Sequence, residues 1–398
     1  MQVVRVVQEE LHPLVVHGLT RARLSGEGVP RQTALLGFGP VAEGHLATVA
    51  EQYEHAVKLP DGVGEMLVIG HLLDADGEEL EEIVLDGRTG RVALADLESR
   101  FLEARPLATD LDTLLRMAGA VEELGSGVGE FGGRFAGQYG PEAVTRLTEA
   151  LREVADADGD YWTIAVLIRP LVRIAGPGDG LRLQLPEGLL DDEFGAESGA
   201  ELGAESGVRP GAGSGAGSGT GGVARFADAD LPAALTHEPT RRFLRDVGLP
   251  VDGGMFTLDD DRPARTLAEV YAHQGKDLLP DGSDRLICLG YLVEDIDLVV
   301  DGATGLILGR NVEDAGLRPV NADVSTLAFT LWLLRRARAV DAEHKVTDES
   351  YAVLAATMRE VLAEVDPVAC GHAAGGSRGD DGWRYWPEAF DDEAGGAL

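Results

Sequence analysis

The stretch Leu85-Asp86-Gly87-Arg88-Thr89-Gly90 returns as Val300-Asp301-Gly302-Ala303-Thr304-Gly305, so the fold this chain adopts is one that it adopts twice. Apolar residues with a preference for strands flank both copies: Ile83 and Val84 before, Val92 and Leu94 after; Leu298 and Val299 before, Ile307 and Leu308 after. Asp-Gly followed by Thr-Gly between such runs predicts a β-hairpin. The carboxylate accepts backbone N–H groups two residues on, and the last glycine supplies a positive φ. Asp86, Gly87, Gly90, Asp301, Gly302 and Gly305 are therefore read as structural residues that fix the alignment of the two halves.

With the turns as register marks, the other elements fall into line. Thr20-Arg21, Leu24 and Gly28-Val29-Pro30 match Thr240-Arg241, Leu244 and Gly248-Leu249-Pro250, and Gly70 stands as far from Pro30 as Gly290 from Pro250. Pro106-Leu107 and Asp110 match Pro319-Val320 and Asp323, with both aspartates placed to cap a helix. Behind them Leu111, Leu114, Ala118 and Val121, and Val324, Leu327, Leu331 and Leu334, form helical stripes. A closing amphipathic helix pairs Leu147 and Leu151 with Leu354 and Met358, and Arg152-Glu153 with Arg359-Glu360. Strand runs bracketed by helices, without a βαβ rhythm, predict an α+β fold: two domains, each a mostly antiparallel sheet packed with helices.

Between the copies, Gly-Ala-Glu-Ser-Gly occurs twice and Gly211 to Gly222 is almost pure Gly, Ala and Ser. Such a composition offers nothing to offset the entropy of ordering. The expected organisation is a domain over 1–190, a flexible linker over 191–223 and a second domain over 224–398. A coil of that length spans roughly 30 Å.

Of the net charge of −35, −15 falls on each half and −5 on the linker between them. That balance argues against nucleic acid or an anionic membrane as partner, and favours fast encounter with a basic protein. The two cysteines, Cys288 and Cys370, allow no disulfide framework and no zinc site. The N-terminus lacks the zones of a signal peptide and no apolar run approaches a membrane span, so a cytoplasmic protein is expected.

Motifs for chemistry sit in the wrong context. Gly127-Val128-Gly129-Glu130-Phe131-Gly132 follows a helix rather than a strand, so a loop between helices is the better reading. Gly375-Gly376-Ser377-Arg378-Gly379 has no strand ahead of it, and Asp74-Ala75-Asp76-Gly77 lacks the rest of a calcium loop. No catalytic, metal or cofactor residues are assigned. The acidic clusters are the binding candidates: Asp259, Asp260, Asp261, Glu294, Asp295 and Asp297 in the second half, Glu78 and Glu79 in the first. Against a basic partner they would stand in for phosphates.

The ordered set of a helix ending in Gly-Leu-Pro, a strand ending in Leu289-Gly290, the Asp-Gly-x-Thr-Gly hairpin and the start Pro319-Val320-Asn321 before Leu327 and Phe329 resembles the fourth family of the SUKH superfamily. The likeness covers about 240 to 366. The first half resembles it as a diverged copy, with Ala108 in place of Asn321 and Arg116 in place of Phe329. The resemblance implies a non-catalytic immunity protein that binds and neutralises a polymorphic toxin of nuclease or nucleic-acid deaminase type. The alternative it leaves is an intracellular protein-binding scaffold without a toxin partner.

Overall fold

The structure, a computed structural model, describes residues 2–53, 59–74, 76–97, 102–154, 159–195, 222–259, 261–273, 279–293, 295–311, 316–371, 384–395 and 397–398. Asp260, Glu294, the Gly375 to Gly379 motif and the centre of the expected linker, 196–221, lie outside the described residues.

Each half builds one five-stranded sheet. In the first the strands are β1 (Leu36–Gly37), β2 (Leu67–Leu73), β3 (Glu79–Leu85), β4 (Val92–Ala95) and β5 (Arg105–Ala108). In the second they are β6 (Phe256–Leu258), β7 (Leu286–Leu292), β8 (Ile296–Asp301), β9 (Ile307–Asn311) and β10 (Leu317–Asn321). Both sheets are antiparallel meanders in chain order, as the α+β reading requires. Alternation sends Ile83, Leu85 and Leu94 to the helix side, and Val84 and Ala93 to a smaller cluster with Val49, Val63 and Val68.

The two matched glycines have a physical reason. Pairing slips at Val68/Gly70 in one sheet and at Cys288/Gly290 in the other. A Cβ on Gly70 would lie 2.1 Å from the Gly37 carbonyl oxygen, and one on Gly290 2.1 Å from that of Thr257. Only a residue without a side chain lets the neighbouring strand come so close.

The doubled turn is a socket as well as a hairpin. Asp86 Oδ1 accepts the Arg88 N–H and Asp301 Oδ1 the Ala303 N–H, each at 2.9 Å. Gly90 and Gly305 take φ of 83° and 81°. The Gly87 carbonyl accepts from Val16 and His17, and the Gly302 carbonyl from Thr236 and His237, at 2.7–2.9 Å. Each middle glycine thus receives the segment ahead of the Thr-Arg helix. His17 Nδ1 and Thr20 Oγ1 are 2.9 Å apart, His237 Nδ1 and Thr240 Oγ1 2.8 Å.

The main helices are α1 (Leu111–Ser126), α2 (Pro141–Val154), α3 (Asp160–Leu167), α4 (Val324–His344), α5 (Thr347–Val365) and α6 (Tyr385–Asp391). Asp110 accepts the Thr113 N–H at 2.8 Å and Asp323 the Ser325 N–H at 2.8 Å, so both act as the expected caps. The single stripe expected of α4 does not describe it. Phe329, Trp332 and Leu333 are buried together with Leu327, Leu331 and Leu334, so this helix is enclosed on every side through Leu334. Its neighbours are the second sheet, α5, the helix Glu238–Asp246, and three elements N-terminal to residue 195: α3, the strand Leu183–Gln184 and the helix Leu189–Phe194. In α1, Arg116 holds the place of Phe329 and is exposed.

One continuous core runs through both halves. The Leu183 N–H donates to Ser325 Oγ at 3.1 Å, the Arg182 N–H to Asp323 Oδ2 at 2.7 Å, and Arg182 Nε to the Val365 carbonyl at 2.7 Å. Each copy also ends on a Tyr-Trp pair. The rings of Tyr161 and Trp162 stand edge to face at 4.7 Å, those of Tyr385 and Trp386 at 5.0 Å. Trp386 Nε1 donates to Asn321 Oδ1 at 2.9 Å, and Asn321 Nδ2 to the fully buried Asp366 at 3.0 Å. Where Ala108 replaces that asparagine, Trp162 Nε1 donates instead to the Leu107 carbonyl at 2.6 Å.

Gly70→Ala and Gly290→Ala are each expected to cost about 2–4 kcal/mol, because backbone must move to admit the methyl. Urea denaturation measures this, and a loss below about 0.5 kcal/mol would mean that the bulges tolerate a side chain.

Candidate protein-binding surface

The acidic loop of the first half divides into a buried part and an exposed part. Asp74 is buried, with Oδ2 at 3.1 Å from Arg359 Nη2, and Arg359 Nη1 also reaches Asp391 at 3.4 Å. Glu81 is buried against Arg105, which also donates to Ser350 Oγ. Further along α5, Glu360 pairs with Arg169, and Glu364 lies 3.8 Å from Arg173. A row of arginine–carboxylate pairs thus joins the first half and its extension to one face of α5. Burial raises the Glu81 carboxyl above its ordinary value although Arg105 opposes the shift, and burial does the same at Glu364 against Arg173.

Glu78 and Glu79 are on the exposed part. They line a cleft of about 590 Å³ together with His71, Glu81, Glu82 and Asp96. His71 Nδ1 lies 3.1 Å from Glu79, and Glu82 Oε2 accepts the Leu97 N–H at 3.1 Å. Glu78 forms no ion pair among the described residues. This is negative surface that meets the buried row at Glu81, on the same strand.

The second half places its candidates differently. Asp297 stands where the first half has Glu82, but its Oδ2 accepts from Tyr271 Oη at 2.5 Å and from Arg310 Nη1 at 3.0 Å. Arg310 is fully buried, with its guanidinium 4.8 Å from the centre of the Tyr271 ring. Ala95 holds the equivalent position in the first sheet, so Glu82 has no such cation beside it there. Asp261 pairs with Arg265, and its N–H donates to Asp259 Oδ1 at 3.0 Å. Asp295 is exposed at a left-handed turn, φ 59°. The Cys288 thiol is pushed up to about 12 by burial first and then by Asp297 and Asp259, which places both carboxylates near it. Asp259 and Asp297 thus share one neighbourhood, Glu78 and Glu79 another.

The turn aspartates are occupied internally. Burial works to raise Asp86 and Asp301, but the hydrogen bonds from their own turns, helped by Arg88 and Arg285, prevail and hold both below the ordinary value. Of the glycine motif expected to be a loop, Gly127 ends α1 and Gly129 to Gly132 open a short helix, Gly129–Phe135, where Glu123 Oε2 accepts the Phe131 N–H at 2.7 Å. Among the described residues no group of His, Cys, Asp and Glu is arranged to hold a metal ion, and no helix is long and apolar enough to cross a membrane. The sequence reads Tyr385 and Trp386 as end-of-domain packing, as their burial bears out, but their match to Tyr161-Trp162 and the role of Arg310 were not read from it. The dipeptide after Asp160 and after Arg384 was the available signal for the first.

The shifted carboxyls set a dependence on pH. Glu81 and Glu364 have folded pKa values above their unfolded value near 4.5, so their ionisation opposes folding. That cost is absent below the unfolded pKa and grows as pH rises through the folded pKa. Asp86 and Asp301 are depressed below 3.8, so their contribution is present above that value and is lost as pH falls through the folded pKa. Thermal unfolding followed from pH 8 downward should therefore show a rising Tm towards about pH 5 and a fall in strong acid. A Tm that declines steadily from pH 8 to 5 would contradict the assigned directions.

No curated protein and no solved structure matches the chain. The family model described as SUKH-4 immunity protein matches it twice, over residues 1–165 and 185–392. The two spans hold the two meander sheets and the two hydrogen-bonded turns, and on that evidence the chain belongs to the SUKH-4 immunity protein family, in two tandem copies.

Proposed function

We propose that the chain is a non-catalytic immunity protein of the cytoplasm, which neutralises a basic toxin of nuclease or nucleic-acid deaminase type by covering its nucleic-acid groove. The match of both halves to a family of immunity proteins carries this reading. Surface charge supports it in detail. Glu78 and Glu79 stand at an open cleft with three further carboxylates, and Asp295 is exposed in the other half. Clustered carboxylates steer a cationic partner and compete for the groups that would hold phosphates.

We take the first copy as the side of the main contact. Asp297 and Asp261 already have arginine partners, whereas the exposed Glu78 forms no ion pair among the described residues. Glu78→Lys with Glu79→Lys should lower affinity for the toxin domain encoded beside this gene by about 10- to 100-fold, chiefly through the on-rate. Surface plasmon resonance at two salt concentrations reads both effects. Asp297→Asn should leave binding nearly unchanged and lower stability, since it takes the carboxylate charge from beside the buried Arg310. Affinity that ignores both salt and the double charge reversal would remove the electrostatic part, and no complex with any neighbouring toxin would favour the scaffold alternative.

A further inference from the structure

The geometry points to a ligand site in the first copy, a cleft between the Asp61-Gly62 turn, the Asp86-Gly87 turn and β5 that takes a small organic acid with an apolar body. The cleft holds about 620 Å³, within the range of pockets for small molecules. Its floor is apolar, formed by Leu14, Val63, Met66, Ala93, Ala104 and Pro106.

The second copy shows why the space exists. The turns align Arg91 with Leu306 and Ala93 with Leu308, and the strand pairs Ala93 with Pro106 and Leu308 with Pro319 align Ala104 with Leu317. Leu306, Leu308 and Leu317 pack together there with Leu267 and Leu286. Three leucines therefore close in the second sheet what two alanines and an arginine leave open in the first. The strand pairing corresponds in the two sheets, so smaller side chains at three matched positions accompany the opening.

The rim selects the head group. Arg88 is held by Glu65 at 2.7 Å, and Asp86 is satisfied by its own turn and by Thr89 Oγ1 at 2.6 Å. Arg91 is exposed and forms no ion pair among the described residues, and Asp61 on the opposite turn is its only uncommitted counterpart on the rim. A guanidinium beside an apolar floor favours a carboxylate attached to a hydrocarbon, because burial of the chain and a charge-assisted hydrogen bond are obtained together.

Three probes of one chain length test this on the full protein: octanoate, octanol and octylammonium, titrated by calorimetry and by chemical-shift changes. Octanoate should bind at one site, roughly tenfold more tightly than octanol and more tightly still than octylammonium. Ala93→Leu with Ala104→Leu, which copies the second sheet, should abolish binding of all three while the circular dichroism spectrum and Tm are kept. Arg91→Leu, a change at an exposed rim position, should reduce octanoate to the level of octanol, and so tests the site even if the double variant does not fold. Equal binding of the three probes, no binding in the millimolar range, or octanoate binding that survives the filled cleft or the loss of Arg91 would each overturn the assignment. None of these outcomes depends on whether a toxin is bound.

Discussion

The enclosure of α4 is the constraint on which the rest of the molecule depends. A helix with Phe329, Trp332 and Leu333 as well as Leu327, Leu331 and Leu334 out of water needs cover on all sides, and one sheet gives cover on only one. Here α5 and the helix Glu238–Asp246 supply part of it, and α3 with the stretch 183–194 more. The core of the second copy is thus completed in part by α3 of the first. Apolar cover is joined by hydrogen bonds at the helix start, where Asp323 and Ser325 accept from Arg182 and Leu183.

The two copies share one plan and differ in a few side chains that change what each face does. Arg310 against Ala95 turns an open carboxylate edge into a closed ion pair. Leu308 and Leu317 against Ala93 and Ala104 turn a cleft into packed core. Asn321 against Ala108 decides whether the tryptophan of the last helix meets a buried side-chain network or a main-chain carbonyl. In each case the backbone hydrogen bonds remain while the surface chemistry changes, as expected where sheet register is set by alternation and turns.

Much of this was legible in the sequence. The hairpins, the capped helices and the α+β class follow from turn chemistry and periodicity, because those depend on residues close in the chain. The surroundings of α4 were not legible, since a stripe of leucines at helical spacing looks the same whether one side or all sides are covered. Charge runs are equally silent about burial: Asp74 and Glu81 sit within a few residues of Glu78 and Glu79, yet one pair is packed against arginines and the other faces water. Which carboxylate meets Arg105, Arg359 or Arg310 is a long-range fact, carried by no local pattern.

The contact between the copies has a symmetry that follows from one matched pair. Arg359 and Glu360 of α5 receive the first half, through Asp74 and Arg169. Their counterparts Arg152 and Glu153, on α2, are both exposed. The contact is therefore not reciprocal: one copy offers its loop and extension, the other its helix face, as in a head-to-tail arrangement rather than a two-fold one. A two-fold contact would use up the same patch on both partners. This one leaves the first copy's patch in water, so the arrangement is one step of an open series rather than a closed pair.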